Sequence, residues 1–86
     1  MRVSHILVQN KYEAEDLARK LKEGADFAVL AHKFSLCSSA KLGGDLGEVA
    51  ASKLDPDFRE AAEALKPGEV SGPIRTRFGH HLILRA

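Results

Sequence analysis

The sequence holds four histidines and a single cysteine, Cys37, and three of these side chains, His5, Cys37 and His81, have the chemistry of a catalytic centre. A cysteine beside a histidine makes a nucleophile and its base. Acyl transfer would also need an oxyanion hole and an Asn or Asp to orient the base, and the sequence signals neither. Without them Cys37 is a small, partly buried hydrophobe, and Ser38 and Ser39 beside it read as ordinary loop residues. His5, Cys37 and either His80 or His81 could offer N and S ligands to a metal, but they lack the short paired spacings of zinc sites. A better account has the histidines bonded to each other. Burial disfavours the charged form, so both rings stay neutral at pH 7, and each can donate from one nitrogen and accept at the other. The plainer reading of either histidine alone is a core residue satisfied by one hydrogen bond. Residues 43–47 (GGDLG) lack the Lys-Ser/Thr ending and the preceding strand of a phosphate loop, so their glycines serve turns. Leu46, Leu54 and Phe58 are apolar candidates that suit a core, and Phe58 equally suits the wall of a shallow pocket.

The elements that must position these groups follow from the apolar pattern. Residues 3–9 (VSHILVQ) read as a strand. Val3, His5 and Leu7 share one face of it, and Ser4, Ile6 and Val8 the other. Ala14, Leu17, Ala18 and Leu21 recur at helical spacing over residues 12–22, and Gly24 is a natural stop. Asp26 caps a second helix with Phe27, Leu30, Ala31 and Phe34 as its apolar stripe. Residues 35–44 are loop, with room for one helical turn, and residues 45–49 form a short strand. Asp55 and Pro56 open a helix to about residue 65, with Phe58, Ala61, Ala62 and Leu65 inward. Residues 66–69 turn, residues 70–74 form a strand interrupted by Gly72 and Pro73, and residues 76–79 turn again. Residues 80–85 (HHLILR) close the chain as a strand with His81 and Ile83 on one face. Few connections are long enough for parallel crossovers, so an antiparallel or mixed α+β sheet is expected. Pairing of the first and last strands at its centre would make His5 and His81 cross-strand neighbours.

The 86 residues support one domain, read here as spanning residues 1–86. Hydrophobic residues at 44% and charged residues at 29% argue against disorder. One cysteine cannot form an internal disulfide, and a lone thiol points to a reducing compartment or a reactive role. A formal charge of +1, from 13 basic and 12 acidic residues, gives no footprint for nucleic acid. No window approaches the ~18 apolar residues of a membrane span, and the first apolar run is too short for a signal peptide. A cytoplasmic location is the default expectation, one that lapses if the chain is a domain of a longer exported protein.

Taken in order, these motifs resemble the parvulin family of prolyl isomerases (the PpiC-like, single-domain type) over nearly the whole chain. Residues 4–8 (SHILV) resemble the family's first strand with its histidine. Residues 34–41 (FSLCSSAK) resemble the segment bearing the active-site cysteine, a position held by aspartate in some relatives. Residues 43–47 match the glycine-rich turn, and residues 68–74 (GEVSGPI) and 78–83 (FGHHLI) match the two C-terminal motifs. Each is weak alone, and five in order are strong. The resemblance implies a four-stranded, mostly antiparallel sheet surrounded by about four short helices, as in parvulins and FKBP-like folds. It implies that His5 and His81 form the family's histidine pair, that Thr76 bonds to a histidine, and that Cys37 faces the substrate carbonyl. It further implies that Leu46, Leu54, Phe58 and Phe78 line the proline-binding surface. No cofactor or metal is expected, and the implied partners are proline-containing peptides or unfolded chains, met by a monomer.

Departures from the family pattern are few. Leu54 stands where methionine is frequent, a change of similar volume. No aromatic residue stands near Val49, and His80 replaces a frequent tyrosine. Only Gln9, Asn10 and Lys11 separate the first strand from the first helix, so the long basic loop of the phosphate-specific branch is missing. The expected activity is therefore non-covalent isomerisation of X–Pro bonds without phosphate specificity, in aid of protein folding. The alternative is a parvulin-shaped module that binds proline-containing chains without catalysis.

Overall fold

β1 (Arg2–Val8) runs through the middle of the molecule because it is apolar on both faces. The computed structural model describes all 86 residues. β4 (Gly79–Arg85) pairs antiparallel with β1 along its length, from Val3 opposite Arg85 to Val8 opposite His80. β2 (Asp45–Glu48) flanks β1 and β3 (Ile74–Thr76) flanks β4, both antiparallel, giving the sheet order β2-β1-β4-β3. The two strands with the strongest β patterns are thus the central pair.

Strand alternation sorts the core into two layers. Ile6, Val8 and Leu82 pack on one side against Ala14 and Leu17 of α1 (Lys11–Lys22) and Phe27, Leu30 and Ala31 of α2 (Phe27–Phe34). Val3 and Ile83 pack on the other side against Phe58 and Ala62 of α3 (Pro56–Ala64). His5 and His81 belong to this second face. They are not directly opposed: His5 faces Ile83 and Leu7 faces His81, so the two histidines are diagonal neighbours across the central pair.

The helix starts follow the sequence. Asp26 Oδ2 accepts from the Val29 N–H at 3.1 Å, and Asp55 Oδ1 accepts from the Asp57 N–H at 3.0 Å with Pro56 in the first turn. Three α-helices and two 3-10 turns (Ser38–Leu42 and Ala51–Lys53) stand in place of about four short helices. No helix is long and apolar enough to cross a membrane.

Two local expectations are corrected. The strand expected over residues 70–74 begins only at Ile74, and Val70 makes a single bridge to Leu84. Pro73 has no N–H to give a ladder. Ser71 fills the gap instead, donating its N–H to the Ile83 carbonyl at 2.8 Å and accepting the Ile83 N–H on Oγ at 3.0 Å. Phe34, expected in the α2 core stripe, is 42% exposed. It ends its helix beyond the sheet, with Lys20 Nζ 5.4 Å from its ring centroid.

Candidate active site

The loop carrying Cys37 is sewn to β1 by its backbone. Leu36 donates its N–H to the Leu7 carbonyl at 2.8 Å. Ser35 Oγ accepts from the N–H groups of Leu7, at 3.1 Å, and Cys37, at 3.4 Å. His5 donates its own N–H to the Gly44 carbonyl at 2.9 Å. Gly44, at φ +83°, comes so close to the His5 carbonyl that a Cβ would collide with it and crowd the Ala31 side chain. The loop therefore cannot drift from the histidine it faces.

The two imidazoles stack at 5.2 Å between centroids, inclined by 19°, with His5 Nδ1 3.0 Å from His81 Nδ1. His81 Nε2 lies 2.7 Å from Thr76 Oγ1, which also accepts the Phe78 N–H at 3.1 Å. His5 Nε2 is buried with no partner in the protein. This geometry couples the tautomers. If the Thr76 hydroxyl donates to His81 Nε2, then His81 Nδ1–H donates to His5 Nδ1 and His5 carries its proton on Nε2. If His81 Nε2–H donates to Thr76, the inner bond reverses and His5 Nε2 is a bare acceptor. Burial is the main cause that pushes the His5 pKa down, to about 4, helped by repulsion from a charged His81. Burial also lowers His81; the Asp55 charge works against that shift and His80 adds to it. Both rings are neutral at pH 7. Phe58 meets both edge-on, 5.6 Å from His5 and 5.3 Å from His81, and seals the pair on its α3 side.

In front of the pair lies a hollow of about 280 Å³. Leu7, Leu46, Leu54, Phe58 and Phe78 give it apolar walls, and His5, His81 and Cys37 give it a polar side. The structure thus brings seven of the eight expected site residues to one cavity. The eighth, Thr76, is buried behind it and touches only His81 of the pair. Three lining residues were missed. Leu7 shares the β1 face of His5, a signal present in the strand alternation. Lys53 and Asp55 flank Leu54 and line the mouth, where the sequence marks Asp55 only as a helix cap. A comparable hollow of about 250 Å³ on the far face of the sheet, lined by residues such as Leu21, Phe27 and Leu84, holds Lys22 as its one titratable group.

Cys37 is half-buried at the wall of the cavity. Burial works against its thiolate, but the polar groups of Ser39 and Ser38 beside it outweigh that and hold the thiol below its usual pKa. Ser39 is buried, and its hydroxyl has no hydrogen-bond partner in the protein. No imidazole serves Cys37 as a base, because both His81 nitrogens are engaged by His5 and Thr76 and His5 Nε2 has no partner. The histidines and Cys37 also form no cluster of three or more metal-ligating groups.

A fold of this topology and a site of this kind define a class. The family model described as the rotamase, PPIC-type PPIase domain matches residues 5–86, and the chain belongs to that family of peptidyl-prolyl isomerase domains. The foldase protein PrsA of Bacillus subtilis is 49% identical over 84 residues, covering 96% of this chain and 29% of that protein. The crystal structure of Bacillus subtilis PrsA superposes with a TM-score of 0.95 at 47% identity, covering 100% of this chain and 34% of that one. The solution structure of NmPin, the parvulin of Nitrosopumilus maritimus, gives 0.87 at 43% identity, covering 99% and 92%. The chain thus spans 29% of the full-length Bacillus subtilis foldase and nearly all of the small parvulin.

Proposed function

We propose that the chain isomerises X–Pro peptide bonds without a covalent intermediate, with the proline ring in the apolar cup and the preceding carbonyl against Cys37 and the histidine wall. The observation that carries this reading is a neutral, internally bonded histidine pair lining an apolar hollow beside a cysteine that no base serves. Rotation about the C–N bond breaks no σ bond. Its barrier of ~18–20 kcal/mol comes from the double-bond character of the planar amide, so a catalyst need only hold the twisted amide more tightly than either planar form. Planarity places negative charge on the carbonyl oxygen. A dry cup removes the water that stabilises this charge, and uncharged histidines supply no cation in its place. The electron-rich sulfur of Cys37 opposite the oxygen disfavours the charge-separated form further.

Each group in the cup comes from one chain, so the mechanism works in a monomer. Phe78, a lining residue that is 54% exposed, extends the apolar surface outward from the mouth. That surface suits flexible or unfolded chains, and the PrsA relatives are named foldases. The connection from β1 to α1 is too short for a basic, phosphate-binding loop, which supports a substrate without phosphate. A protease-coupled assay on a short X–Pro peptide tests the reading. Catalytic amounts of protein should accelerate the slow cis fraction; stoichiometric binding without acceleration would favour the non-catalytic module.

A further inference from the structure

We infer that the mouth of the cup selects for an acidic side chain next to the proline, through the unmatched charge of Lys53; this rests on the isomerase reading of the same site. Only two lining residues carry full charge at neutral pH, Lys53 and Asp55. Asp55 is committed. One oxygen accepts the Asp57 N–H at 3.0 Å, the other lies 3.6 Å from Arg77 Nε, and the side chain is only 12% exposed. Arg77 comes from the β3–β4 turn and rests its guanidinium 5.0 Å from the ring centroid of Phe78, itself a lining residue. The Arg77 charge is thereby matched by Asp55. Lys53, exposed at the end of its 3-10 turn, has no carboxylate within 4.0 Å. Two cations stand against one carboxylate, around a cup whose histidines are neutral.

A bound peptide must pass this rim. Successive Cα atoms are ~3.8 Å apart, so with the proline seated in the cup, a residue beside it lies level with the mouth. A glutamate or aspartate there meets Lys53 in reach and Arg77 beyond. A lysine meets a like charge and finds Asp55 already taken. Solvent-exposed pairs are weak, so discrimination between Glu and Lys should be on the order of threefold to tenfold in kcat/KM. It should fade at 1 M salt, where the screening length is ~3 Å.

Exchange spectroscopy on peptides with Glu, Gln or Lys before the proline, and a second set varied after it, tests the inference. In at least one set the wild-type protein should act in the order Glu, Gln, Lys. Lys53→Glu should invert that order, Lys53→Gln should flatten it, and 1 M NaCl should compress it. Equal acceleration of all three peptides in both sets, or an order that survives Lys53→Glu, would overturn the inference and leave the isomerase reading standing. No acceleration of any peptide would overturn both.

Discussion

His5 Nδ1 and His81 Nδ1 face each other at 3.0 Å although the two residues are not paired in the strand ladder. The bond crosses the central strand pair diagonally and ties the N-terminal strand to the C-terminal one. It also passes tautomeric information from Thr76, behind the cup, to His5 Nε2.

Removing one ring strands the other. His5→Ala leaves the buried His81 Nδ1 without its partner, at a cost of about 1–3 kcal/mol. At about 4–8 °C per kcal/mol for a domain of this size, the melting temperature should fall by roughly 10 °C. Thermal unfolding followed by circular dichroism reads this directly. An inactive variant with full stability would instead assign the pair a direct chemical role.

The pair also sets an acid limit. His5 titrates near 4 in the folded chain and near 6.5 unfolded. Between those values the unfolded state binds more protons, so stability rises with pH there. The contribution is complete above about pH 6.5, is lost as pH falls towards 4, and is on the order of 3 kcal/mol. Denaturant melts at stepped pH should show this slope, and His5→Asn should reduce it. A His5 ring proton that titrates by NMR near 6.5 in the folded protein would contradict the assignment.

Cys37→Ser keeps a polar atom opposite the carbonyl and Cys37→Asp a charged one. Loss of a contact worth about 1 kcal/mol lowers the rate by no more than roughly tenfold. Both variants should therefore retain measurable kcat/KM. Complete loss with an intact fold would argue for a covalent route.

The two phenylalanines of the cup should part ways. Phe58 is 4% exposed within the α3 layer, so Phe58→Ala should cost about 3–5 kcal/mol of stability. Phe78 is 54% exposed, so Phe78→Ala should stay within about 0.5 kcal/mol of wild type in stability and show its main effect as a raised KM for the peptide. Paired denaturation and kinetic measurements on the two variants distinguish these outcomes.

Much of the site is legible in the sequence because strand alternation is strict. The patterns of VSHIL and HHLIL group His5 with Val3 and Leu7 and His81 with Ile83, each on one face of its strand, and pairing of the two strands joins those faces; Asp26 and Asp55 mark helix starts by side-chain chemistry alone. What escapes is set by tertiary contact. Thr76 enters only through resemblance, since nothing local shows that its hydroxyl reaches a ring five residues ahead. Asp55 reads as a cap, and its ion pair with Arg77 depends on how α3 meets the β3–β4 turn. The late start of β3 follows Pro73, a break the sequence shows, but the Ser71 hydroxyl standing in as a partner for the Ile83 N–H is encoded by no β propensity.

The central claim is that a non-covalent cup turns over X–Pro bonds. Exchange spectroscopy on an Ala–Pro peptide tests it most directly, because the spontaneous reaction takes tens to hundreds of seconds. With protein at a hundredth of the peptide concentration, cis and trans resonances should exchange within seconds, while the protein's own shifts move around Leu54, Phe58 and Phe78. Unchanged exchange alongside the same protein shifts would contradict the account and leave a domain that binds proline without turning it.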